Sequence, residues 1–440
     1  MLEHPQAFLL HKKLYTIDNL EMALEQKKKP FAMWSSILKN LSWTDRLLPF
    51  TIISSIVIGL VVSEYSKGAR KYFDSSTSAT FVGVSVPLVI GMIVMMLPPL
   101  CRVEWEMLWS YIRKPDIRRP ILYSLVANWI ICPFLMFGLA WLVLFKEPEY
   151  REGVIMIGMA RCIAMVITWN QVAGGDNTLC VVLVIINSVL QMVLYAPYQI
   201  FFCYVITGGS YNNVTTLYSD VAKSVGVFLG IPLAAGFVIR FTSFLFFGKE
   251  VFMKTILPFI NPWGFIGFHF TIIVIFLGNG HNFLHHIGSA FLCFIPLTLY
   301  FLISWFGCFF IMRILTKTRN SSDYIGSGEE TECNCEKQKL IEGTSYGKNT
   351  CDANYAITMT QCFTTASNNF ELSLAVAVSL YGNGSKQAIA ATFGPLLEVP
   401  ILLILSILSR YFEHKFMWSN TGNIVEDDIS VDGISEEVFE

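Results

Sequence analysis

Charge is scarce in this chain. Of its 440 residues only 15% are Asp, Glu, Lys or Arg, and 54% are hydrophobic, whereas soluble proteins carry roughly a quarter charged residues. So little charge cannot cover a soluble surface. The two signs nearly cancel, leaving a net charge of −2, which excludes the basic face that nucleic acid requires. The first 30 residues contain His11, Lys12, Lys13 and Lys27 to Lys29 but no uninterrupted apolar core. No cleavable signal peptide is expected, and the first membrane helix serves as the insertion signal. Paired-Asp and His-Glu-x-x-His elements are missing as well, which removes the usual signatures of proteolysis.

What the chain has instead is apolar blocks of about the 20 residues that cross a bilayer as a helix. They lie near 47–63, 79–100, 119–145, 153–174, 178–206, 219–247, 255–278, 283–312, 354–381 and 387–409. Pro98, Pro99, Pro133, Pro197, Pro232, Pro262, Pro296, Pro395 and Pro400 fall within them and imply kinks. Of the eleven cysteines, Cys101, Cys132, Cys162, Cys180, Cys203, Cys293, Cys308 and Cys362 lie in or beside these blocks. They read as packing residues, not as a disulfide framework.

Ten spans put both termini on one side, and most Lys and Arg fall on segments sharing that side, so both termini are expected in the cytoplasm. The sequon Asn213-Val-Thr215 then lies in an outer loop. Ten also divides into two sets of five, and an odd number per set forces the halves into opposite orientation, the arithmetic of an inverted repeat. The expected division is a cytoplasmic segment at 1–46, a first five-helix repeat at 47–206 and the first part of a second repeat at 207–312. A flexible cytoplasmic loop follows at 313–352, then two last helices at 353–412 and an acidic cytoplasmic tail at 413–440.

The fourth and ninth spans occupy equivalent places in the two halves and are unusually polar. Glu371, in the ninth, is an ionisable group at membrane depth, which costs about 2.5–3.5 kcal/mol on insertion scales. Transport is the default reason, and the alternative is a structural pair with Arg161 or Arg240. Asn368 and Asn369 beside it give the stretch the look of a cavity wall. Arg161 cannot shed its charge and must face a carboxylate, backbone carbonyls or water. Cys162, Val166 and Trp169 follow it on one helical face. Cys162 reads as packing or as a ligand for a soft, thiophilic centre. Asn187, sharing a face with Gln191, and Glu398 are further pathway candidates, Glu398 equally a structural partner for a cation. Cys333 and Cys335, with Cys351 nearby, form a low-specificity site for a soft metal or metalloid.

The segments Met159-Ala-Arg-Cys-Ile-Ala-Met165, Trp169-Asn170, Asn187-Ser188 with Gln191, Pro258-Phe-Ile-Asn-Pro262 and Ala366-Ser-Asn-Asn-Phe-Glu-Leu372 carry a resemblance. Over roughly residues 40–412 the chain resembles the arsenical-resistance arsenite permeases, members of the bile-acid/sodium symporter superfamily, and its long loop is most similar to the fungal branch. The resemblance implies an all-α fold of ten membrane helices in two inverted five-helix repeats, with discontinuous fourth and ninth helices crossing near the midplane. It also implies a secondary active antiporter, with no cofactor, that exchanges arsenite, and sometimes antimonite, for protons across the plasma membrane, the vacuolar membrane being the other location. The functional pair of that family corresponds to Cys162 and Glu371. A sodium-coupled organic-anion symporter of the same superfamily is the rival reading, and an intramembrane enzyme or receptor is a more distant one.

Overall fold

The computed structural model describes residues 43–66, 68–69, 80–106, 108, 115–163, 165–207, 214–285, 287–315, 354–382, 384–416 and 418. Cys333, Cys335, Cys351, the sequon at Asn213, most of the 1–46 and 313–352 segments and nearly all of the tail lie outside these residues. The described chain is almost wholly helical. Helix α1 spans Trp43–Tyr65 and α2 spans Val86–Cys101, and between them Thr80–Phe81 (β1) pairs antiparallel with Val84–Ser85 (β2). The second apolar block was expected to be helical from residue 79. Residues 80–85 instead form this hairpin, because the Val82-Gly83 turn takes positive φ at both positions, 51° and 74°, as a type I′ hairpin turn requires.

Helix α3 runs through Pro115–Val126, Ala127–Ile131 and Cys132–Val143; α4 is Pro148–Met159, α5 Met165–Ala173, and α6 Asn177–Ile200 continued by Phe201–Val205. Helix α7 comprises Val214–Val225, Gly226–Gly230 and Ile231–Val251, and turns at Gly248 (φ 81°) into α8, Phe252–Ile256 and Leu257–His285. Then come α9 (Ile287–Phe291), α10 (Phe294–Leu315), α11 (Tyr355–Ala366), α12 (Phe370–Tyr381) and α13 (Lys386–Lys415). Side-chain caps start several of them: Asp176 accepts from the Leu179 amide at 3.0 Å, Asn354 from Ile357 at 3.2 Å and Ser385 from Ala388 at 3.2 Å. Among the described residues five stretches, Arg118–Val143, Asn177–Val205, Leu217–Leu277, Gly288–Leu315 and Lys386–Glu413, are long and apolar enough to cross a membrane.

Three of the four π-helical turns among the described residues share an identifiable cause; the fourth, Phe201–Val205, is not followed by a proline. Ala127–Ile131, Gly226–Gly230 and Phe252–Ile256 each end two residues before a proline, Pro133, Pro232 or Pro258. A proline inside a helix supplies no N–H and pushes away the carbonyl four residues back. For Pro133 that carbonyl is Trp129, and it is recovered by the Tyr198 hydroxyl of α6 at 2.7 Å.

Helices α1, α2, α7 and α8 pack on one another as one layer, and α3 to α6 with α10 to α13 form a second. In the first layer Gly267 of α8 lies so close to α2 that a Cβ there would sit 2.7 Å from the Met95 nitrogen, close approach being how membrane helices gain contact in lipid. The same layer is pinned by Arg240 of α7, fully buried, which donates to Glu106 at 2.6 and 3.1 Å and to the Cys101 carbonyl at 3.1 Å. Burial works to raise the Glu106 carboxyl, but the hydrogen bonds and charge of Arg240, with the charge of Lys249, outweigh it and hold it below the usual range.

Candidate functional site

Two helices break in the middle of the second layer. Between α4 and α5 the chain extends at Ala160 (φ −101°, ψ 135°), and between α11 and α12 at Ser367 (φ −90°, ψ 137°). In a protein interior the freed backbone groups need partners, and each break supplies them to the other. The Cys162 amide donates to the Ser367 carbonyl at 3.4 Å and the Asn369 amide to the Ala160 carbonyl at 3.2 Å, which makes Arg161 and Asn368 an antiparallel bridge pair. Asn369 also caps α12, its side chain accepting from the Leu372 amide at 3.0 Å.

Arg161 is wholly buried beside this bridge. Its guanidinium donates to the Tyr300 hydroxyl at 2.9 Å, to the Thr365 carbonyl at 3.4 Å and to the Gly158 carbonyl. Thr365 and Gly158 are in the last turns of α11 and α4, so a single fixed cation lies against the negative ends of both broken helices. Of the three partners foreseen for it, it takes backbone carbonyls. Arg240 is bound to Glu106, so neither cation considered as a structural partner for Glu371 is joined to it.

The opposite, positive ends are the first turns of α5 and α12, and they face a cavity of about 410 Å3 between the two layers. From the second layer Cys162, Met165, Thr168, Asn368, Phe370, Glu371 and Glu398 line it; from α2 and α8 the wall includes Met95, Pro98, Pro99, Asn261, Phe265 and Phe268. Ser367 donates its hydroxyl to Glu398, which is 2% exposed, whereas Glu371 is half-buried and open to the cavity. The Asn368 side-chain nitrogen is buried with no hydrogen-bond acceptor among the described residues, although its oxygen accepts from Tyr300 at 3.3 Å. A donor held at a cavity wall with no partner is suited to a ligand oxygen.

Of the residues singled out from sequence, Cys162, Asn368, Glu371 and Glu398 meet in this cavity. The others stand behind its wall. Asn187 accepts from the Trp129 ring nitrogen at 3.0 Å, Asn369 donates to Gln191 at 3.4 Å, and Trp169 is fully buried. Gln191 in turn accepts from the Arg161 amide at 3.3 Å. Tyr300 and Arg102 were not foreseen; Thr168, one of the polar residues of the fourth span, and Asn261, in the Pro258–Pro262 segment, were not named as site residues, and Arg102 donates to Asn261 at 3.0 Å. Tyr300 sits in an apolar block and gave no polar signal of its own. Among the described residues no group of three or more His, Cys, Asp and Glu side chains is placed to hold a metal ion.

Residues 89–286 match the sodium bile acid symporter family. The arsenical-resistance protein Acr3 of Corynebacterium glutamicum is 33% identical over 367 residues, covering 83% of this chain and 88% of that protein. Acr3 of Alkaliphilus metalliredigens is 24% identical over 388 residues (86% and 95%), and an uncharacterized transporter of Synechocystis is 26% identical over 385 residues (83% and 88%). With 33% identity over 83% of its length, the chain belongs to the family of the Acr3 arsenical-resistance proteins, among the sodium bile acid symporter relatives.

Proposed function

We propose that the protein exports arsenite from the cytoplasm in exchange for protons. The observation that carries this reading is that one cavity, between two packed layers and at a crossing of broken helices, is lined by both the Cys162 thiol and the Glu371 carboxyl. Arsenous acid is largely uncharged near neutral pH, so its recognition depends on three hydroxyls and a thiophilic centre. Cys162 presents the soft sulfur to arsenic, and the free Asn368 amide and the first turns of α5 and α12 present donors to the hydroxyls. An uncharged substrate feels no membrane potential, so export against a gradient needs a coupled ion. Glu371 has the position for it: with a proton bound it favours one orientation of the layers, and without it the other. Glu398, held by Ser367, is the second carboxyl of the site.

The topology that goes with this reading is ten spans in two inverted five-helix repeats. Helices lie over each of the ten expected segments, and the two broken units, α4 with α5 and α11 with α12, are the fourth and ninth in order. The charge asymmetry of the sequence supports cytoplasmic termini, with the plasma membrane as the location and 313–352 as a cytoplasmic linker. Antimonite, with the same valence and softness, is the natural second substrate.

Everted membrane vesicles test the function directly. Arsenite uptake into them is expected to increase when their interior is made acid and to be indifferent to sodium. Sodium-dependent uptake of an organic anion without arsenite transport would overturn the proposal.

A further inference from the structure

The cavity lies on one side of the crossing. Its walls are the C-terminal half of α2, the N-terminal part of α8 and the starts of α5 and α12. Helix α12 continues past the crossing in the other direction, and Ser379 lies eight residues beyond Glu371, about 12 Å along the axis at 1.5 Å per residue. There the two layers meet again. The Ser379 hydroxyl is 2.8 Å from the Val82 carbonyl in the hairpin turn and 2.8 Å from the Ser224 hydroxyl of α7. The hairpin leads into α2, so both partners belong to the first layer and Ser379 to the second. Ser224 is fully buried.

We infer that this contact, Ser379 against Ser224 and the Val82-Gly83 turn, is the gate that closes the far end of the transport pathway and must part in each cycle. The inference rests on the export reading, because only a transporter has to open that end. Three features fit a gate better than a permanent joint. Ser224 also donates to the Asp220 carbonyl at 2.7 Å, so two hydroxyl protons serve three short contacts and one contact is always without a hydrogen. The contact therefore parts more readily than a fully bonded one. Val82 is β-branched with φ 51°, a conformation such residues rarely adopt, so the turn is held in a strained form against Ser379. The fit is also close: a Cβ on Gly83 would lie 2.9 Å from the Ser379 carbonyl, so the turn seats directly on the α12 backbone.

The test is a cross-link across the gate. With the two hydroxyl oxygens 2.8 Å apart, the Ser224→Cys, Ser379→Cys double variant brings two sulfurs within reach of a disulfide of about 2.05 Å. Copper phenanthroline oxidises the pair before arsenite is loaded, so that no free dithiol is left to capture the substrate. Efflux is expected to fall to background in the double variant and to persist in each single variant given the same oxidant. A double variant that is fully cross-linked and still exports at the rate of the single variants overturns the inference. Absence of efflux from the unsubstituted protein sinks the export reading instead, so the two failures are distinct. A second measurement uses Ser224→Cys alone with a membrane-impermeant maleimide, and does not depend on the double variant reaching the membrane. Labelling is expected to increase several-fold during arsenite turnover, and equal labelling with and without arsenite counts against the gate.

Discussion

Glu371 and Arg161 both lie within the broken helices, but only the glutamate can change its charge. Arg161 is held by Tyr300 and by two helix-end carbonyls, so removing Glu371 leaves no buried cation stranded. Glu371→Gln is therefore expected to reach the membrane at normal abundance while proton-coupled efflux collapses, and Glu371→Asp to keep partial efflux with an altered pH profile. Efflux and abundance measured together across pH decide it: pH-responsive, normal efflux by Glu371→Gln would remove the proton-carrier role. The sequence made Glu371, Glu398 and Arg161 conspicuous because ionisable groups in apolar blocks are costly. It could not reveal Tyr300, whose hydroxyl meets Arg161 across 139 residues of chain, since a tyrosine in an apolar block reads as packing until its partner is known.

At the scale of elements, apolar block length located the helices, but not their interruptions. The polarity of 153–174 and 354–381 set these spans apart but did not place the unwinding at Ala160 or Ser367, because the groups that compensate it come from the other half of the protein. The breaks were expected through family resemblance alone. The prolines were legible as kinks, yet not as π-helical turns with a rescuing hydroxyl. That rescue is testable. Tyr198→Phe leaves the Trp129 carbonyl without its donor and is expected to cost about 1–3 kcal/mol, read as a lowered Tm in detergent. Pro133→Ala returns an N–H four residues after Trp129, so in that background the cost of Tyr198→Phe is expected to shrink. An unchanged cost in this double-mutant cycle argues that the two groups do not share the carbonyl.

For the whole molecule, the proposed odd number of spans in each half and the placement of Lys and Arg make a topological prediction. A tag at either terminus is expected to be reachable only after the cell is permeabilised, and a terminus accessible from outside would overturn the inverted-repeat reading along with the orientation. What the linear pattern could not give is the grouping into layers: α1 and α2 join α7 and α8, far along the chain. The Asn187 side chain was expected on the pathway and instead supports α3 through Trp129, a distinction that depends on which layer faces the cavity and not on span polarity.

The permanent charge of Arg161 has an electrical consequence. With both cavity carboxyls neutral the crossing bears one positive charge, and with one of them ionised it bears none. A charge carried across a membrane voltage gains or loses about 2.3 kcal/mol per 100 mV, scaled by the fraction of the field traversed. Under the proposed proton coupling, the voltage acts on the proton-loaded leg of the cycle and leaves the singly ionised leg untouched. In a voltage-clamped membrane such an exchanger is expected to act as a current source whose sign and size report which leg is limiting, even though the cargo itself is uncharged.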